Sequence, residues 1–353
     1  MCANQGAAVL RGIIVQSLGL MCIGLVAGRA APALPGDGFP DYVPVGSLTG
    51  ELHSMGTDVM DGLTVAWLDI FRKAHPQVEA TMEARGANTA IPGLIDGASQ
   101  LAPISRAISP VEAKSFAAKF GYPPTEFRVA CGTYDAFGLS PPVVLFVHRD
   151  NPLNALTLGQ VEEIYARGGN LTNWGQLGLT GEWADKPIAV WGLRLPNGTA
   201  TFFQDAAMHG RDFSPTMIVR PTADPRSRSA QRAPNGGVQA FVDILDGIAD
   251  DRYAIGYAAP GYPNPKVKML AVAPTPTAAP VAPKRDAVAN RTYPLCRFIY
   301  IYVNRVPDRP LDPCVREFLR VVLSQNGQAV VAQRSGFLPL PAPILQEELA
   351  KLD

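Results

Sequence analysis

The chain has 353 residues, of which 47% are hydrophobic, and its 31 basic and 31 acidic side chains leave no net charge. This balance argues against a nucleic-acid-binding protein, which would carry a basic excess, and the hydrophobic fraction excludes an acidic disordered chain. At about 100–200 residues per domain, the length predicts about two domains with buried cores.

Residues 1–30 have the features of a secretory signal peptide. Arg11 and Arg29 are their charged residues, and an uncharged, mostly apolar stretch over 13–28 lies between them and leads into small residues. A membrane-spanning helix needs about 20 apolar residues, so this shorter run favours a signal peptide over the alternative of an N-terminal membrane anchor. Its removal would leave 29 basic against 31 acidic side chains. We therefore predict a periplasmic or otherwise extracytoplasmic protein, with a Pro/Gly-rich linker over 31–44.

Hydrophobic periodicity predicts helices and strands that alternate along the rest of the chain. In chain order we predict a helix over 58–75, a strand over 78–84, a helix from about 92, a helix opened by Ser109, a strand over 142–147, a helix opened by Thr157, a strand over 298–303 and a helix over 313–324. Capping boxes mark two of the helix starts, Ser109–Glu112 and Thr157–Gln160. A Pro/Ala-rich exposed loop is predicted over 274–284. The alternation predicts an α/β fold.

Searches for catalytic and metal-binding motifs find no nucleophile elbow, phosphate loop or zinc signature. The four histidines are scattered, and no cofactor is indicated. Cys131, Cys296 and Cys314 follow the signal segment. A Cys296–Cys314 disulfide is one hypothesis for an oxidising compartment, and buried free thiols are the alternative. An enzyme has no positive support, and a secreted hydrolase stays a minor alternative.

Short polar segments recur where a strand or loop leads into a helix. They are Gly56–Asp58, Gly86–Thr89, Ser105–Arg106, Asn197–Thr199 and Asn235–Gly237. Free backbone N–H groups and the helix dipole favour an anion at such positions. The alternative for each segment alone is an ordinary helix cap. Together they suggest a shared anion site.

The order of several short motifs resembles the substrate-binding proteins of phosphate-type ABC transporters, which are type II periplasmic binding proteins. The resemblance runs from about Val45 to Pro341. It is carried by Gly56–Met60, Gly86–Ala90, Ala102–Arg106, Val147–Leu153, Leu156–Tyr165, Trp174–Gly178, Gly181–Trp183, Ile255–Tyr257, Tyr293–Leu295, Tyr300–Asn304, Leu311–Pro313, Gly327–Gln328 and Leu338–Leu340.

This resemblance implies an α/β fold of two lobes joined by two crossover strands, with the ligand in the cleft between them. We expect lobe one over 45–141 and 293–353, and lobe two over 142–292. The implied function is capture of phosphate or a related small oxyanion for an ABC transporter permease, without catalysis, by a monomer. The alternative is a stand-alone secreted binding module with altered or lost ligand specificity.

The resemblance also implies a set of ligand-binding residues. They are Thr57, Asp58, Asn88, Thr89, Ser105, Arg106, Arg194, Asn197, Gly198 and Thr199. Arg106 is the leading candidate for a cleft arginine, with an ion pair on the lobe surface as the alternative.

Some positions depart from the family pattern. Asn88 and Asn197 stand where the family usually has serine, and Val59 where it usually has threonine. Arg194 lies one residue from the family's arginine position, for which Leu193 competes. Asp135 is a further, weaker candidate, as an acceptor for a protonated oxyanion.

Overall fold

The computed structural model describes residues 39–134, 140–195, 197–220, 239–262 and 264–353. The proposed signal segment, the first part of the linker, Asp135 and the polar segment Asn235–Gly237 lie outside these residues. In the part of the chain that is described, none of the helices combines the length and the apolar character that crossing a membrane requires.

Strands and helices alternate through most of the described chain. The strands are β1 (Gly50–Gly56), β2 (Val78–Ala84), β3 (Ala102–Ile104), β4 (Thr125–Cys131), β5 (Val144–His148), β6 (Ala155–Thr157), β7 (Ala189–Leu193), β8 (Ile218–Arg220), β9 (Ala254–Ala258), β10 (Val267–Met269), β11 (Ala271–Ala273) and β12 (Phe298–Val303). The helices are α1 (Asp61–Ala74), α2 (Ala90–Asp96), α3 (Pro110–Phe120), α4 (Leu158–Tyr165), α5 (Gly198–Met208), α6 (Gln239–Asp250), α7 (Arg285–Ala289), α8 (Pro313–Val322), α9 (Gln325–Val330) and α10 (Ala342–Leu349).

The strands form two groups of sheets. In the first group, β1 pairs in parallel with β2, and β12 lies between β3 and β4, antiparallel to both. In the second group, a five-stranded sheet has the order β10-β5-β9-β7-β8, and β6 pairs with β11. In that sheet β7 runs parallel to β8 and β9, whereas β5 is antiparallel to its neighbours. The first group includes the late strand β12, so the chain leaves this group and returns to it.

The local signals in the sequence explain where several elements begin. Ser109 caps α3 and Thr157 caps α4, each in a capping box with the side chain three residues on, as predicted. The apolar run predicted over 142–147 forms β5, all of whose residues are buried. The 274–284 segment is a mostly exposed connection, as predicted.

Two main hydrophobic clusters match the two groups of sheets, and they define two α/β lobes. The cluster of lobe two runs from Val143 to Cys296. The main cluster of lobe one combines residues 52–131 with residues 299–352. The chain therefore crosses between the lobes after Cys131 and returns just before Ile299.

The cysteines correct one hypothesis. Cys131, Cys296 and Cys314 are all free and buried. Cys296 packs in the cluster of lobe two and Cys314 in that of lobe one, so the Cys296–Cys314 disulfide does not form.

The described end of the proposed linker is held against lobe one. The Tyr42 hydroxyl lies 2.7 Å from Nε2 of His75, and the carbonyl of Pro40 accepts a hydrogen bond from the Gln325 amide at 2.8 Å. Arg320 also donates to the carbonyl of Val43 at 3.2 Å. This stretch is therefore part of the folded unit rather than a free tether.

Candidate ligand-binding cleft

The first polar loop, Gly56–Asp58, follows β1 and packs against β3, the strand that leads into the third polar loop, Ser105–Arg106. Thr57 is buried, and its amide donates to the carbonyl of Pro103 at 3.0 Å. Its hydroxyl oxygen accepts from the Val59 amide at 3.3 Å and lies 3.4 Å from Oδ1 of Asp58. A side chain at Gly56 would collide with the backbone of Pro103. Glycine is needed here because the main chain of the first loop touches that of β3.

The second polar loop is tied to the first. The amides of Arg85 and Gly86 both donate to the carbonyl of Gly56, at 3.0 and 3.1 Å. Gly86 has a φ of 93°, which favours glycine, and its carbonyl accepts from the Thr89 hydroxyl at 2.9 Å. The three loops of lobe one therefore form one connected surface that carries Thr57, Asp58, Asn88, Thr89, Ser105 and Arg106.

Arg106 is engaged inside this surface. Its guanidinium donates to both carboxylate oxygens of Glu112, at 2.7 and 2.9 Å, and to the carbonyl of Ala107 at 3.0 Å. A weaker contact joins Nη2 to Oδ1 of Asn88 at 3.4 Å. Both charged side chains are about 85% buried. The ion-pair alternative is thus the arrangement in the structure, although the pair lies below the surface, and a direct anion-binding role for Arg106 stays a prediction.

Glu112 has two structural tasks at once. It completes the capping box of α3 by accepting from the Ser109 amide at 2.7 Å, and it neutralises Arg106. Burial opposes ionisation of the carboxyl, but the hydrogen bonds from Arg106 and Ser109 outweigh it, and the pKa of Glu112 is lowered. The pair is therefore charged at neutral pH and fixes the third loop on α3.

Lobe two contributes the start of α5. Asn197 caps this helix, because its Oδ1 accepts from the amides of Thr199 and Ala200 at 2.8 and 3.1 Å. A Cβ placed on Gly198 would lie 3.9 Å from Cδ of Arg106. The N-terminus of α5 therefore lies beside Arg106 of lobe one.

The structure shows no contact between the Arg194 side chain and the other predicted ligand-binding residues that it describes. Its side chain is exposed, and its backbone amide donates to the carbonyl of Arg220 at 3.0 Å. Leu193, the competing position, is fully buried, and its amide interacts with the Tyr257 hydroxyl at 3.0 Å. Of the ten predicted residues, the structure places Gly198 of lobe two beside Arg106 of lobe one and leaves the side chain of Arg194 exposed.

One cation at the contact between the two lobes was missed by the sequence analysis. Arg297 immediately precedes β12, and only 6% of its surface is exposed. Its guanidinium carbon lies 4.9 Å from the ring centre of Phe202, on α5. Nε and Nη2 of Arg297 have no hydrogen-bond partner among the described residues. The available signal was a lone cation within the apolar run from Tyr293 to Val303.

Burial disfavours the charged form of this arginine without removing its charge at neutral pH. It lowers the pKa of the Arg297 guanidinium to about 10, while Tyr257 acts in the opposite direction. The group still carries its proton at neutral pH. Lobe one thus presents polar loops and a neutralised ion pair, and lobe two presents a helix N-terminus. Arg297, a cation without a carboxylate partner in the described chain, lies where the two lobes meet.

This arrangement defines the class, a two-lobed solute-binding protein. Comparisons with known proteins agree with the class. Residues 44–326 match the model of the PBP superfamily domain. The phosphate-binding protein PstS of Pseudomonas aeruginosa is 34% identical over 345 residues, which cover 96% of this chain and 98% of the relative.

Two solved structures share the fold. An ABC-type phosphate transport receptor from Vibrio cholerae aligns with a TM-score of 0.51 and 20% identity, over 82% of this chain and 100% of the other. PstS from Borrelia burgdorferi aligns with a TM-score of 0.54 and 17% identity, over 83% and 99%. The chain therefore belongs to the PBP superfamily and, within it, to the family of the phosphate-binding protein PstS. The predicted two-lobed fold, and the choice of a binding protein over an enzyme, are confirmed.

Proposed function

We propose that this chain captures inorganic phosphate in the interlobe cleft and delivers it to an ABC transporter permease. The observation that carries the proposal is the start of α5, whose Gly198 faces Arg106 and the polar loops of lobe one. Backbone N–H groups at a helix start, together with hydroxyl and amide side chains, are typical ligands of an oxyanion. The name of the P. aeruginosa relative gives the ligand class.

Further parts of the proposal follow from the sequence. Residues 1–30 direct export and are removed, so that the protein works outside the cytoplasm as a monomer. The lobes comprise 45–141 with 293–353, and 142–292, and the returning segment Tyr293–Cys296 packs against the core of lobe two. Closure of the lobes around the ligand presents one conformation to the permease. The ligand is held by Thr57, Asp58, Asn88, Thr89, Ser105, Asn197, Gly198 and Thr199, near Arg106.

Isothermal titration of the chain from residue 31 onward tests this function. We expect phosphate to bind with a Kd far below about 1 mM, which corresponds to about −4 kcal/mol, and sulfate, molybdate and a phosphonate to bind more weakly. Thr199→Val should weaken phosphate binding about tenfold through loss of a hydroxyl donor. Thr216→Val removes a hydroxyl from a turn before β8 and serves as the matched control. If no phosphate binds at about 1 mM, the transport proposal is wrong and the chain is a stand-alone module with other specificity.

A further inference from the structure

Arg297 differs from an ordinary structural arginine of this fold. Its neighbour Arg291 also lies on an aromatic ring, 3.7 Å from the centre of Phe298. However, Arg291 donates to the carbonyls of Arg297 and Cys296, at 2.6 and 3.2 Å. Arg297 has a comparable ring, that of Phe202, but Nε and Nη2 have no acceptor among the described residues. The two arginines therefore have different roles.

Arg297 lies where both lobes and a crossover segment meet. Its carbonyl accepts from the amide of Gly132 at 2.9 Å. A Cβ on Gly132 would come 3.6 Å from Cβ of Arg297 and would collide with the carbonyl of Ser140. The Ser140 hydroxyl in turn donates to the carbonyl of Ser105 in the third polar loop at 2.8 Å. Through Phe202, one turn after Gly198, the side chain of Arg297 also contacts α5.

A buried cation without a carboxylate is unfavourable in the unliganded protein. Loss of hydration disfavours the charged form, and the cation–π contact with Phe202 offsets part of that cost. The two donors that lack acceptors, Nε and Nη2, project from the same edge of the guanidinium. That edge forms a two-pronged donor whose spacing matches two oxygens of one oxyanion.

We infer that Arg297 is the charged anchor of the bound oxyanion, with Nε and Nη2 each donating to one oxygen of inorganic phosphate when the cleft is occupied. This inference rests on the proposed function and specifies which positively charged side chain binds the anion. Arg106 is neutralised by Glu112 within lobe one, whereas Arg297 is neutralised by the ligand. The N-terminus of α5 and the polar loops then supply the uncharged donors around the same anion.

The test compares Arg297→Met, Arg297→Lys and Arg252→Met by phosphate titration and thermal melting. Methionine keeps an apolar side chain beside Phe202 but removes the charge. We expect Arg297→Met to weaken phosphate binding at least about 30-fold and to leave the unliganded melting temperature unchanged or higher. Arg297→Lys keeps the charge without the two-pronged edge, so its affinity should lie between those of Arg297→Met and the parent.

Arg252 is the matched control, because it also lies over an aromatic ring, that of Trp183, but it is partly exposed and forms an ion pair with Glu182 at 3.2 Å. Arg252→Met should bind phosphate like the parent. If Arg297→Met binds phosphate as tightly as the parent, or melts lower with unchanged affinity, Arg297 is structural and the inference is wrong. If Arg297→Met does not fold, parent-like binding by Arg297→Lys would overturn the two-pronged anchor. If the parent itself binds no phosphate, the proposed function fails as well.

Discussion

Two buried arginines border the cleft, and their surroundings are opposite. Arg106 has both oxygens of a carboxylate and a backbone carbonyl as acceptors. Arg297 has an aromatic ring and, within the described chain, no acceptor for Nε or Nη2. Both are cations in a protein whose charges sum to zero. Residue type alone therefore does not say which cation is available to a ligand.

The difference separates stability from binding. An arginine whose charge is balanced by the protein stabilises the lobe whether or not ligand is present, because its removal leaves a buried carboxylate unpaired. An arginine without such a partner costs stability until an anion arrives. A binding protein of nearly neutral charge can in this way hold an anion with local dipoles and one unbalanced cation. A basic surface is not required.

The largest expected effect comes from Gly132→Ala, which disrupts the contacts that connect Arg297, through Ser140, to the third polar loop. The added methyl group would collide with the carbonyl of Ser140, so the crossover segment has to shift. We expect a loss of about 3 kcal/mol in the free energy of unfolding, measured by urea denaturation, together with weaker phosphate binding.

Gly62→Ala is the matched control for that substitution. Gly62 is exposed within α1, and a Cβ there meets no atom within 4 Å. Alanine at this position should stabilise the helix by about 0.5–1 kcal/mol. Equal stabilities of the two variants would mean that the close contact at Gly132 does not constrain the crossover.

A smaller effect is expected from Arg106→Met. The substitution leaves Glu112 with its cap to α3 but without its cation, and we expect a loss of about 2 kcal/mol of unfolding free energy. Phosphate affinity should change less than about fivefold. The double variant Arg106→Met/Glu112→Gln should recover part of the lost stability, which a double-mutant cycle measures. If Arg106→Met instead weakens phosphate binding as strongly as Arg297→Met and leaves the stability unchanged, Arg106 binds the anion and its assignment to a purely stabilising role is wrong.

Much of the fold could be predicted because its signals are local. Each of these signals predicts the structure of the segment in which it lies. They are the capping boxes at Ser109 and Thr157, the alternating residues of β2 and the apolar run of β5. The lobe arrangement came from the order of motifs. That order also led to the prediction that Asn197–Thr199 and the three polar loops of lobe one share a ligand site, which no single motif could have given.

The charges of the cleft could not be predicted in the same way. Glu112 was recognised as the third residue of a capping box, and the sequence gives no sign that it also binds Arg106. The burial of Arg297 depends on Gly132 and Phe202, which are distant in sequence and meet only after the chain crosses between lobes. The Cys296–Cys314 hypothesis failed for the same reason, since proximity in sequence did not place both residues in one core.

The smallest and most specific effect concerns Asn197, which tests whether the ligand reaches the N-terminus of α5. Its Oδ1 accepts hydrogen bonds from the backbone amides of Thr199 and Ala200. Serine can still cap the helix, but its shorter side chain accepts fewer hydrogen bonds from the backbone amides. Asn197→Ser should therefore leave the amide of Thr199 or Ala200 free to bind the anion. Stability should change by less than about 0.5 kcal/mol, and phosphate affinity should increase several-fold.

Asn197→Asp is the counterpart, because it keeps the cap and places a negative charge at the same point. The helix dipole favours this charge, so the melting temperature should be equal or higher. Repulsion should nevertheless lower phosphate affinity at least about tenfold, measured by titration at constant ionic strength. Opposite changes in affinity at similar stability would place the anion at the start of α5 and leave Arg297 as its charged partner. Equal affinities in the serine and aspartate variants would instead mean that the anion is bound only by the loops of lobe one.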